Sequence, residues 1–184
     1  METAQVIALI AFLAVAAFVI VAARRTGWLL ARTREAEGFR GDVADLARRV
    51  EVSLGAVSDR VDVVRRGAAE PESIGANLAA ALNAVERYAE EANRLRGPRE
   101  ASAARSGLIA EIERAGRALL MVEHGVVIRT RGRRGEAGPE AETAIKRGYL
   151  NLLHAREAIA RHALEAVALA EAASPVRRFG RHSA

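Results

Sequence analysis

The sequence predicts an all-α protein: a single N-terminal transmembrane helix followed by an antiparallel bundle of about four amphipathic helices with coiled-coil-like packing. Three observations carry that expectation. Residues 3–23 read TAQVIALIAFLAVAAFVIVAA without one charge. Beyond them, apolar residues recur every three or four positions in successive segments, the period of a helix face. Ala, Glu, Arg and Leu dominate while aromatic residues make up only 4%, a composition that favours helix and disfavours sheet.

The uncharged run comes first. A bilayer core of about 30 Å needs roughly 20 apolar residues at 1.5 Å each, and no later segment meets that length. A cleaved secretory signal is the rival reading, with Ala22 and Ala23 as the small residues at its cleavage site. Such signals carry a basic start and an apolar stretch of about 7–15 residues. Here the start, METAQ, has no Lys or Arg, the run is too long, and Arg24 and Arg25 follow at once. An uncleaved anchor is therefore expected. Trp28 fits it, because Trp favours the membrane–water interface. Arg24, Arg25, Arg32, Arg34 and Arg40 all follow the run, whereas Glu2 and the terminal amine flank its other end. The positive-inside rule puts the N-terminus outside and the bulk of the chain in the cytoplasm.

The remaining chain reads as helix after helix. Phe39, Val43, Leu46, Val50, Leu54, Val57, Val61 and Val64 form one stripe with near-heptad spacing, a seam for another helix. Gly38 and Gly41 precede it and suggest a bend or hinge. Gly67 reads as the stop, and Pro71 as the first turn of a second helix with Ile74, Leu78, Leu82, Val85, Tyr88, Ala92 and Leu95 on one face. Gly97 and Pro98 are a stop and a start. A third helix follows with Leu108, Ile112, Ala115, Leu119, Val122 and Val126, its face widened by Ile109, Leu120 and Val127. Residues 129–138 read as a flexible basic loop. Pro139 opens the last helix, with Ile145, Tyr149, Leu152, Ile159, Ala163, Val167 and Ala170 inward. Ser174 and Pro175 end it. Short connections favour antiparallel neighbours and an up-down-up-down order. The expected organisation is a transmembrane anchor at 1–23, a basic juxtamembrane linker at 24–38, a cytoplasmic helical bundle at 39–173 and a basic flexible tail at 174–184.

Composition narrows the chemistry. There is no cysteine, which removes disulfides, cysteine nucleophiles and thiolate metal sites. The net charge is +5, and the basic excess is almost all arginine, a bias that a GC-rich genome would also produce. No Ser/His/Asp set, phosphate loop or dinucleotide fingerprint is present. His154 with Glu157 and His162 with Glu165 each share a helix face. The paired Glu-x-x-His set of helical di-iron proteins is absent, so these read as solvated surface pairs, with His154 opposite the core and His162 on its flank. Arg156 has its Cα on the apolar stripe and needs a partner, for which Glu123 is the candidate. No cofactor, metal or catalytic residue is expected.

Two groups of residues are candidates for binding. Arg24, Arg25 and Trp28, with Arg177, Arg178 and Phe179 of the tail, form a membrane-interface set that meets lipid headgroups. Arg129, Arg131, Arg133 and Arg134 form a candidate loop for an acidic partner. Without interleaved aromatics or a recognition helix, nucleic acid is not an expected partner. The expected partners are the lipid bilayer and either another protein or a second copy of this chain, met through helices. The expected function is that of a membrane-anchored interaction or scaffold protein without catalytic activity, the alternative being a membrane-bound signalling or sensory component that couples anchor to bundle.

Overall fold

The computed structural model describes residues 2–131 and 138–174, with residues 2–15, 22, 26, 29 and 30 described in their backbone alone. The protein is all-helical. Among the described residues it has helices α1 (Glu2–Arg65), α2 (Gly75–Arg94), α3 (Ser102–Arg131) and α4 (Gly138–Ala173), with short 3-10 turns at Pro71–Ile74 and Arg99–Ala101. Among these residues no helix is long and apolar enough to cross a membrane; the first part of the uncharged run, up to residue 15, lies outside those with described side chains.

Helix α1 holds the main difference from the sequence reading. It passes unbroken from residue 2 through residues 24–38 and into the seam, with no interruption of the helix at Gly38 and Gly41, where a bend or hinge was expected. Each glycine disfavours helix by up to about 1 kcal/mol relative to alanine. Packing overrides that small preference. Ala36, Phe39, Val43, Leu46, Val50, Leu54, Val57, Val61 and Val64 are all buried, so the two glycines lie where the buried stripe begins. Gly67 ends the helix as expected, at a left-handed φ of 74°. Its N–H donates to the Val64 carbonyl and that of Ala68 to the Val63 carbonyl, both at 3.0 Å, the pattern of a Schellman stop.

Each helix runs antiparallel to its neighbours, as contacts at successive levels show. Between α1 and α2, Arg49 bonds to Glu91 and the Ser53 and Tyr88 hydroxyls lie 2.8 Å apart. Between α1 and α4, Glu51 receives Arg156 and Arg65 stacks 5.2 Å from the Tyr149 ring. Gly116 of α3 faces Val85 of α2, and Gly125 and Gly148 place α3 against α4. The four helices thus form the expected up-down-up-down bundle around one core.

The buried face of α4 differs from the expected one. It keeps Ile145, Leu152, Ile159, Ala163 and Ala170 of the expected line and adds Ala141, Gly148, Ala155, Ala158 and Ala166, while Tyr149 and Val167 are only half-buried. Glycine and alanine let α3 and α4 approach closely. A Cβ on Gly125 would stand 2.8 Å from Ile145, and one on Gly148 would stand 2.6 Å from Val122.

Ion pairs decorate the outer rims. Hydrogen bonding by Arg65, set against partial desolvation and joined by the charge of Arg66, holds the Asp62 carboxyl below the usual aspartate range. Asp45 is lowered likewise, first by its bond to Arg48. Asp45 is exposed, so its pairs contribute little to stability, whereas the Asp62 side chain is largely covered.

Candidate functional site

The end of the bundle nearest the uncharged run gathers the candidate interface residues. Phe18, Val19, Ile20 and Val21 project from α1 with more than half of their surface free, Phe18 reaching 74%. Four consecutive large apolar side chains without protein cover are unusual on a monomer surface. Arg24 and Arg25 follow, both exposed. One turn later stands Trp28, 59% exposed.

A second chain segment reaches α1 here. The turn joining α2 to α3 packs beside residues 28–39, and Gly97 makes that approach possible, since a Cβ there would overlap the Phe39 ring. Arg105 Nη1 donates to the carbonyl of Leu95, the residue that caps α2, at 2.6 Å, which satisfies an otherwise orphan acceptor at the helix end. Arg32 Nη2 donates to Glu100 Oε1 at 3.0 Å, and its guanidinium carbon lies 5.3 Å from the centre of the Trp28 ring, within cation–π range. Between the two walls lies a cleft of about 630 Å³, lined by Trp28, Arg32, Glu35, Gly97, Pro98 and Arg99 among others.

The remaining candidates divide. Arg129 and Arg131 do not sit in a loop: they belong to the last turn of α3 and are exposed. Arginine is a good helix former, and the Thr130 hydroxyl donates back to Val126 O at 2.9 Å, so the helix runs on into the basic stretch. That end lies far from the uncharged run. Arg133 and Arg134 lie outside the described residues, as do Arg177, Arg178 and Phe179.

Two polar positions on α4 differ from expectation. Arg156 pairs with Glu51 of α1 rather than with Glu123 of α3, and the missing side chain of Gly55 leaves room for the guanidinium, whose Nη2 is 3.4 Å from where a Cβ would be. His154 is exposed, as read from the helix face. His162 is not a solvated surface pair. Its ring fills the space above Gly107 of α3, its side chain is only 25% exposed, and its Nδ1 lies 3.4 Å from Glu165 Oε2. The signal for it was the heptad spacing Ile145, Leu152, Ile159, which places position 162 inward when Gly148 and Ala155 are counted as core. Among the described residues no group of three or more His, Asp or Glu is placed to hold a metal ion.

Sequence reasoning missed Arg99, Gly97 and Pro98 as interface residues and read Arg32 only as a topology signal. The Arg25, Trp28, Arg32 spacing of three and four marked Arg32 as lying on the tryptophan face; nothing in the sequence marked the opposing turn. No protein-family model, curated protein or solved structure matches this chain.

Proposed function

We propose that this chain is a single-pass, membrane-anchored interaction or scaffold protein without catalytic activity, with the bundle at the cytoplasmic face. The observation that carries the reading is α1 itself. One helix begins in a charge-free stretch of membrane-spanning length, crosses Arg24, Arg25 and Trp28, and becomes the seam of the bundle. The exposed Phe18–Val21 quartet calls for an apolar environment, and the arginines after it favour the cytoplasmic side. The bundle then stands as a rigid body at a fixed heading from the membrane. Val52, Leu120 and Leu164 (72% exposed) are apolar positions left on its outside, where a partner helix or a second copy can pack.

A second reading, a membrane-bound signalling or sensory component, is favoured by the same continuity. A small shift or rotation of the anchor would pass directly into the α1 seam, and packed helices respond to such shifts as units. Crosslinking in native membranes, followed by purification in mild detergent, tests the interaction role. The chain is expected in a complex larger than its 19.7 kDa monomer, and truncating Leu164 to Ala should diminish that complex. Recovery of the monomer alone would contradict the role.

A further inference from the structure

We propose that the cleft between α1 and the α2–α3 turn binds the phosphate headgroup of an anionic glycerophospholipid. The proposal rests on the anchor reading and deepens it: the bundle would be docked to one class of lipid as well as tethered.

Position is the first argument. Trp28 stands five residues beyond Ala23, about 8 Å along a helix rising 1.5 Å per residue. The polar layer of each leaflet is about 5–8 Å deep, half the difference between the whole bilayer and its core. The upper lip of the cleft therefore lies at headgroup depth, where an indole prefers to sit.

Charge is the second. At about 100° per residue, Arg24, Arg25, Trp28 and Arg32 fall within about 100° of arc on one face of α1. Arg99 adds a cation from the opposite wall and has no ion pair among the described residues. Within the cleft Arg32 and Arg99 stand against Glu35 and Glu100, and Arg24 and Arg25, outside its lining on the same face of α1, bring the excess of two positive charges. Arg32 is already oriented, stacked on Trp28 and held by Glu100. A guanidinium has five donors in a fixed fork, so one bond to Glu100 leaves others for phosphate oxygens. A zwitterionic headgroup would bring its own cation towards these arginines and lose part of the attraction.

Shape is the third. A volume of about 630 Å³ falls among those of small-ligand sites, about 300–1,000 Å³. The walls are fixed by the Phe39–Gly97 contact and the Arg105 bond, so little ordering is needed on binding.

Trp28 is the single tryptophan of the chain and serves as the reporter. The full chain is reconstituted in bilayers containing equal fractions of anionic and zwitterionic lipid, with one or the other brominated on its acyl chains. Brominated anionic lipid should quench Trp28 with an apparent association about fivefold that of brominated zwitterionic lipid, the scale of one arginine–headgroup contact. Arg99→Gln and Arg32→Gln should each lower that ratio about twofold or more, while Arg117→Gln, on the outer surface of α3, leaves it unchanged. Equal quenching by both lipids would overturn the site while leaving the anchor standing. Quenching by neither would place Trp28 away from the bilayer and overturn the anchor reading as well. Displacement by free glycerol phosphate would overturn lipid as the ligand.

Discussion

Truncating Leu119 to alanine is expected to lower folding stability by about 2–5 kcal/mol. Its side chain is fully buried in the cluster shared by all four helices. Losing it removes apolar burial and leaves a cavity that four interlocked helices cannot collapse around. Leu46, fully buried on the α1 seam, should cost a similar amount when truncated. His154→Ala should change stability by no more than about 0.5 kcal/mol, as an exposed substitution. Guanidinium unfolding of the full chain in detergent, followed by helical circular dichroism, measures all three. Equal losses at the three positions would mean that the helix faces are misassigned.

Gly148→Ala should also destabilise, against the usual effect of that substitution. In an exposed helix the change gains up to about 1 kcal/mol. At Gly148 the new methyl would stand 2.6 Å from the Val122 side chain, 2.9 Å from Ala118 O and 2.9 Å from Val122 N. Two of those atoms are backbone, so no rotamer change makes room and α4 must move away from α3. Overpacking of this kind costs about 1–3 kcal/mol, and a net loss results. Gly41→Ala is the control. A Cβ there meets nothing within 4 Å, so the helix gain remains and the melting temperature should rise. A rise at Gly148 as well would contradict the close α3–α4 approach.

The contrast between these glycines explains what could be read from the sequence. Large aliphatic residues at three- and four-residue spacing announced the α1 seam, and every position expected there is buried. Gly67, Pro71, Gly97 and Pro139 marked ends and starts because their backbone limits act locally. Glycine and alanine carry no such signature when they act as contact surfaces. Gly148, Ala155 and Ala166 were therefore left out of the α4 face, and the partner of Arg156 was sought on α3 when it lies on α1. Gly38 and Gly41 were read as a bend or hinge because propensity was weighed without the packing that carries the helix through them. The α1 half of the candidate site was legible in Arg24, Arg25 and Trp28. Its other wall was not, because Arg32 and Glu100 meet across 68 residues of chain, a contact created by the bundle and encoded in no local pattern.

The absence of cysteine from the natural chain permits a direct test of the membrane claim. Glu2→Cys and Glu157→Cys, each an exposed or terminal position, are introduced singly and treated in intact cells with a membrane-impermeant maleimide. Cysteine at position 2 should be labelled from outside and remain attached to the full-length chain, while cysteine at position 157 should be labelled only after lysis. Labelling of both positions in intact cells, or of neither, would contradict a spanning α1, and labelling of position 157 alone would contradict the orientation of the bundle.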